Sequence, residues 1–317
     1  MNKEKKTNSR EQITKKKGQR AKSKLVLLFS LLITLSSLLI ISCSSAPKKP
    51  TEIFSERIIA ANQLNLANQT ANQGRYEDAL LIIGEARRLA LGTDDPSLRI
   101  KTTMGRANIL FALGRHAEAF KEWEIAADEG DVSEEPVLAA LARIYTIRGE
   151  LVLLANETEM SDHSARAAAE RCKTRVTGEM LNVKSDSLST ATGYVTLGMA
   201  EKQLRSWVEA ENAVKRALEI HEKNRCLEDA AYDWFLIASI RSLAGNYTTA
   251  LEALRMAISF DRRAENGFGL ASSWQAMGDV YKKSGQIEES GKAYRRALDI
   301  YRAINLSAKA EELEQLL

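Results

Sequence analysis

The sequence predicts an all-α chain of stacked helical units, and three observations carry that prediction. Residues recur at a spacing of 40: Gly74 and Gly114, Gly245 and Gly285, Ala86 and Ala126, Ala217 with Ala257 and Ala297, and Trp234 with Trp274. A fixed period of this size marks supersecondary units that are each too small to bury a core alone. Only four prolines stand in 317 residues, and Leu, Ala, Glu, Arg and Lys are common after residue 55, a composition that favours helix. The recurring glycines separate amphipathic stretches, as a residue that ends a helix in a left-handed cap does. Stacked units present an extended surface, which argues for binding and against an enzyme built around one pocket.

The elements follow in chain order. Residues 1–24 are polar and basic, with Lys15, Lys16, Lys17, Arg20, Lys22 and Lys24. Leu25 to Ile41 is an uncharged, mostly apolar run of 17 residues. A basic flank, an apolar core and a small residue before a cut site make an export signal, whose basic flank stays cytoplasmic. The run ends in Ile40-Ile41-Ser42-Cys43, which resembles the bacterial lipobox. That resemblance implies that Cys43 receives a diacylglyceryl group and becomes the mature N-terminus. Residues 1–42 are then a lipoprotein signal peptide, and 43–54 are the acylated Cys with its tether. An uncleaved signal anchor is the competing reading, because 17 residues is at the short limit for a span. Lipid chains on one residue suffice to hold a soluble domain at a bilayer, each buried CH₂ contributing about 0.8 kcal/mol. The proteobacterial sorting rule, applied to Ser44, points to the outer membrane.

The formal net charge of +3 conceals two unlike parts. Residues 1–42 hold ten Lys or Arg and two Glu, leaving 35 basic and 40 acidic side chains in the remainder. A mildly acidic mature protein gives no electrostatic case for nucleic-acid binding.

From about Ser55 onward the pattern reads as pairs of helices. Gly74-Arg-Tyr-Glu-Asp-Ala79 returns as Gly114-Arg-His-Ala-Glu-Ala119, as Gly245-Asn-Tyr-Thr-Thr-Ala250 and as Gly285-Gln-Ile-Glu-Glu-Ser290. The residue two after each Gly (Tyr76, His116, Tyr247, Ile287) is expected to pack between helices. The Ala that follows, and the Ala seven further on, lie on one face and let the second helix approach closely. Ala67, Ala107, Ala142, Ala238 and Gly278 stand seven before a glycine of this pattern, with Trp234 and Trp274 four earlier still. These features resemble the tetratricopeptide repeat. The resemblance implies a right-handed α-solenoid of about six helix-turn-helix repeats over residues 55–317. The period is about 40, with Gly92–Ser97 adding length early, and a final helix over 306–317 acts as a cap. The third repeat is degenerate and carries an irregular insertion at about 156–190, with a helix around 162–176. The fourth places Arg205 where the turn glycine belongs, which predicts a looser turn.

The resemblance also implies a groove lined by the first helix of each pair. Carried over residue by residue, it offers Asn68, Asn72 and Asn108, then Arg143, then Met199, Lys202 and Gln203. It continues with Tyr232, Phe235 and Ser239, and ends with Asp279, Lys282 and Lys283. Asn presents both a donor and an acceptor to a peptide backbone. Leu64 and Met104 occupy the positions where a carboxylate-clamping groove needs lysines. Phosphate-binding and dinucleotide-binding glycine motifs are absent from the sequence. His163 and His221 lie near Cys172 and Cys226 in sequence, but no closely spaced metal-ligand pair is present. The acidic residues read as solvated helix faces. The expectation is a non-enzymatic, cofactor-free scaffold or adaptor lipoprotein of the bacterial envelope that binds a protein or peptide through its groove. The alternative is a lipoprotein that partners a periplasmic solute-binding protein in small-molecule transport, for which an apolar cavity near Tyr232 and Phe235 would speak.

Overall fold

The computed structural model describes residues 55–157 and 160–317. Among these residues the chain forms thirteen helices and no strand. Helices α1 (Ser55–Asn72) and α2 (Tyr76–Gly92) make the first pair, α3 (Pro96–Ala112) and α4 (His116–Val132) the second, and α5 (Pro136–Asn156) and α6 (Asp162–Glu179) the third. Helices α7 (Ser187–Gln203) and α8 (Trp207–Lys223) make the fourth, α9 (Leu227–Leu243) and α10 (Tyr247–Ala264) the fifth, and α11 (Gly267–Lys283) and α12 (Ile287–Ala303) the sixth. Helix α13 (Ser307–Glu314) stands alone at the end. Each helix packs on its neighbours in sequence, which is the expected solenoid. The export signal and Cys43 lie outside the described residues. None of the described helices is long and apolar enough to cross a membrane.

The period of 40 is twice a simpler unit of 20. Left-handed residues stand at Gly74, Asp94, Gly114 and Glu134, and again at Arg205, Arg225, Gly245, Glu265, Gly285 and Asn305. Most units are a 17-residue helix followed by a three-residue link. The added length therefore resides in the helices. The Gly92–Ser97 segment contributes a link of only Thr93–Asp95, with Asp95 capping α3 by accepting from the Leu98 amide at 3.0 Å. Every turn but the one at Asp94 closes alike, the N–H after the left-handed residue reaching back to a carbonyl five earlier: Arg115 to Leu110 at 2.9 Å, Asn246 to Arg241 at 2.8 Å. Ser206 reaches Glu201 at 2.9 Å in the same way. The Arg205 turn is thus no looser than the glycine turns, and Arg205 sits at φ 60°, a conformation that costs a side-chain-bearing residue about 1–2 kcal/mol.

The third pair breaks the spacing. Glu134 and Arg205 are 71 residues apart, where three units of 20 would take 60. Gly149 does not end a helix, because α5 continues through it to Asn156. Its missing side chain instead admits an aromatic cluster. A Cβ there would stand 2.9 Å from the Trp123 ring, 3.1 Å from Phe111 and 3.3 Å from Phe120. Segment 156–190 holds the end of α5 and the whole of α6, which packs on both α5 and α7.

The small-residue stripes form the inter-helix core. Ala79, Ala119, Ala250, Ala86, Ala126, Ala257 and Ala297 are fully buried. His116 packs on Phe111 with ring centroids 4.7 Å apart, as an aromatic in the Tyr76 slot should. Ile287, in the same slot, is 65% exposed. It does not pack between helices, because its repeat is covered only by the short α13, which docks Ala310 and Leu313 on Leu298 and Tyr301.

The two ends of the stack touch. Tyr76 at the start of α2 meets Phe268 of α11 edge to face, with centroids 6.4 Å apart. Gly74 lies against Leu306, whose Cδ1 would be 2.9 Å from an added Cβ. Asn72 donates to the Glu228 carboxylate of α9. The first pair therefore contacts the fifth and sixth pairs and the link before α13, closing the solenoid into a ring.

Candidate functional site

Closure turns the groove into a central cavity of about 780 Å³. Its wall is built by the first helix of every pair, through side chains at one-turn spacing: Asn68 and Asn72, Asn108, Tyr145 with Arg148, Thr192 with Val195, Glu228 with Tyr232 and Phe235, and Phe268 with Ser272. A helix repeats its facing positions every three to four residues, so each first helix gives one stripe to the lumen. Second helices contribute Trp123, and at their C-terminal ends His221 and Asp261.

One side of the cavity is aromatic and amide-rich. Trp123 donates Nε1–H to Asn108 Oδ1 at 3.0 Å, and its ring stacks on Tyr145 at 6.3 Å with planes 14° apart. Tyr232 stacks on Phe235 at 6.5 Å, and the Arg148 guanidinium lies 5.0 Å over the Tyr232 ring, a cation–π contact. Burial opposes charge on Arg148, but the surrounding Tyr232, Tyr145 and Asp229 outweigh it and hold its pKa above the ordinary value.

Beside Tyr232 and Phe235 the lining is acidic. Glu228, Asp229, Asp233 and Asp261 all line the cavity. Asp233 is fully buried and accepts from His221 Nδ1 at 2.6 Å through one oxygen, while its Oδ1 has no hydrogen-bond partner. Burial pushes the Asp233 carboxyl up to about 6, against the hydrogen bond from His221. Burial also opposes charge on His221, but the hydrogen bond and charge of Asp233, with Asp229 adding, raise its pKa overall. Asp261 is 2% exposed and accepts from Asn266 Nδ2 at 2.8 Å and from Ser273 Oγ at 3.4 Å. Burial drives it up to about 7. Glu228 is raised by burial too, which the hydrogen bond from Asn72 only partly offsets.

The sequence-predicted groove residues divide into two groups. Asn68, Asn72, Asn108, Tyr232 and Phe235 line the cavity. Asn72 and Asn108 already hold protein partners there, Glu228 and Trp123. The remaining eight lie outside the lining. Arg143 pairs with Asp131 and Glu179 beside a second depression between α4, α5 and α6. Met199 is core. Lys202 has its pKa lowered by burial, with the nearby Tyr232 opposing. Gln203 and Ser239 are half-buried. Asp279 accepts from the Tyr294 hydroxyl at 2.5 Å, and Lys282 and Lys283 are exposed. The sequence reading missed the acidic wall, because it treated Asp and Glu as solvated. A signal was present: His221 and Asp233 recur one period later as Asp261 and Ser273, an unusual run of polar residues in a packing position.

The cavity hydroxyls Ser272 and Ser273 are engaged with Tyr301 and Asp261. Cys172 is buried, contacts Glu150 at 3.5 Å and has its thiol pushed up to about 11 by burial, while Cys226 is a separate free thiol. Among the described residues no group of three His, Cys, Asp or Glu is arranged to hold a metal. The arrangement is suited to binding.

Residues 229–303 match the tetratricopeptide repeat family. The fold is an all-helical solenoid of the kind seen in tetratricopeptide-repeat structures. The chain is also similar to solved structures. A Rap protein complexed with competence and sporulation factor aligns at 12% identity and TM-score 0.53, over 81% of this chain and 73% of that one. BtubC from P. vanneervenii aligns at 17% identity and TM-score 0.47, over 78% and 92%. The Rap conjugation gene regulator of plasmid pLS20, in complex with the Phr* peptide, aligns at 14% identity and TM-score 0.47, over 81% and 79%. At such identities the likeness is one of fold. No curated protein matches the chain in sequence.

Proposed function

We propose that this is a membrane-anchored adaptor, a lipoprotein acylated at Cys43 whose tetratricopeptide ring binds a short segment of another envelope protein. The observation that carries the reading is the convergence of all six first helices on one cavity of about 780 Å³. That volume lies within the range of small-ligand and short-peptide sites. Stacked aromatic rings at Tyr232 and Phe235 and the exposed amide of Asn68 give it both apolar area and backbone-compatible hydrogen bonding. A Rap protein of similar fold was solved with competence and sporulation factor, which is consistent with a ligand held inside such a stack. The anchor rests on the Ile40-Ile41-Ser42-Cys43 run, and Ser44 favours the outer membrane. A cavity does adjoin Tyr232 and Phe235, as the solute-transport reading requires, but its four carboxylates disfavour an apolar solute.

The test is in-cell crosslinking of the full-length protein with identification of the captured proteins. Two variants are compared with the parent: Asn68→Ala with Tyr232→Ala in the cavity, and Lys282→Ala with Lys283→Ala outside it. A dominant partner lost only in the cavity variant supports the adaptor reading. The same partner lost only in the lysine variant moves the interface to the outer face and overturns it.

A further inference from the structure

The cavity is electrically unbalanced. Four carboxylates line it, and Arg148 is the only permanently charged cation in the lining. His221 is already paired with Asp233 at 2.6 Å, and Lys202 comes within range of Tyr232 without joining the wall. Asp233 adds a specific vacancy in hydrogen bonding. Its side chain is fully buried, yet Oδ1 has no partner. A buried polar atom without a partner costs about 1–3 kcal/mol, more for a charged group, so an occupant that supplies the missing donor binds with that cost relieved. Glu228, Asp229 and Asp261 stand in the same wall, and the Tyr232 and Phe235 rings beside them suit the apolar stem of a long cationic side chain. A primary ammonium has three donors and no acceptor, which fits an acceptor-only surface.

We propose that the acidic wall formed by Glu228, Asp229, Asp233 and Asp261 receives a primary ammonium group, with the unpaired Asp233 Oδ1 as its central acceptor. This rests on the cavity being the partner site, and its natural form there is a lysine side chain or a free N-terminal amine of the bound segment. Burial raises the Asp233 and Asp261 carboxyls, and a cation bound beside them would lower both.

Four probes titrated calorimetrically into the full-length protein in detergent test the inference. They are a blocked pentapeptide with a central Lys, the same peptide with a central Glu, an all-neutral version with a free N-terminal amine, and the diamine cadaverine. Each is repeated with Asp233→Asn, with Asp261→Asn and with the more exposed Asp229→Asn, whose folding is checked by circular dichroism. The expected result is tighter binding of the Lys peptide than of the Glu peptide by tenfold or more, with that preference cut at least fivefold in every folded variant. Preference for the free-amine peptide over the Lys peptide assigns the site to a chain terminus and keeps the inference. Binding of cadaverine alone, lost in the variants, supports the ammonium site and removes the peptide reading. Equal or tighter binding of the Glu peptide overturns the ammonium site and leaves the peptide reading standing. Binding of no probe overturns the ammonium site, and the partner reading then stands or falls on the crosslinking result.

Discussion

His221 and Asp261 occupy the same position one period apart. Each ends a second helix, and each faces a polar residue twelve positions later on the next first helix, His221 meeting Asp233 at 2.6 Å and Asp261 meeting Ser273 at 3.4 Å. The repeat thus carries buried polar couplings from its fourth pair to its fifth and from its fifth to its sixth.

Asp261 makes stability pH-dependent. Its carboxyl is raised from 3.8 to about 7, so the folded chain holds the proton more tightly than the unfolded one. The stabilisation is complete below about pH 4 and is lost as the pH rises through 7. Asn266, Ser273 and, on α9, Glu228 are the groups that act on it. Asp261→Asn removes this loss, so the variant gains on the parent between pH 5 and pH 8 by a few kcal/mol at most, one pKa unit being about 1.4 kcal/mol. Thermal melts of both proteins across that range measure the gain. Parallel curves would refute it.

Ring closure gives Tyr76 and Phe268 a measurable coupling. Edge-to-face aromatic pairs contribute about 0.5–1.5 kcal/mol beyond burial. Urea unfolding of Tyr76→Ala, Phe268→Ala and the double variant is expected to give a coupling in that range. Strict additivity would mean that the first and sixth pairs do not hold each other in solution.

Two helical glycines have opposite roles. Gly84 on α2 is exposed with open space around it, so Gly84→Ala stabilises by about 0.5–1 kcal/mol through helix propensity. Gly198 on α7 admits the next helix, where an added Cβ would stand 2.5 Å from Val214 Cγ2 and 3.1 Å from the Ala210 carbonyl oxygen. Gly198→Ala is expected to destabilise by about 1–3 kcal/mol through overpacking. Chemical denaturation decides both signs.

If Cys43 is the acylated residue, Cys43→Ser abolishes metabolic labelling with an alkyne fatty acid and leaves a larger, uncleaved precursor on gels. Undiminished labelling would place the lipid elsewhere, and an unlabelled parent would replace it with a signal anchor.

Much of the fold was legible because close helix packing demands small residues at fixed steps. Gly74, Gly114, Gly245 and Gly285 all turn with positive φ, and the alanines of the second helices are buried as their spacing implies. The half-period of 20 was harder to read because side-chain identity does not encode it. Asp94, Glu134, Arg225, Glu265 and Asn305 adopt the left-handed turn without glycine, held by the hydrogen bonds of the link. Of the site, five of thirteen groove residues reached the cavity wall. Repeat phase predicts which way a side chain points within one pair. It does not predict the curvature that brings Glu228 beside Asn72 or leaves Lys282 and Lys283 outside, since curvature accumulates from every inter-pair contact.

The contact of Gly74 and Tyr76 with Leu306 and Phe268 also sets an order of events. A solenoid grows from neighbour to neighbour, and each new pair finds its partner already made. Here the first pair emerges with one flank bare and waits some 190 residues of synthesis for the surface that covers it. A chain cut short before α11 would keep nearly all its local contacts and still expose that flank. Helix α11 and the link before α13 thus act as a seal on the first pair.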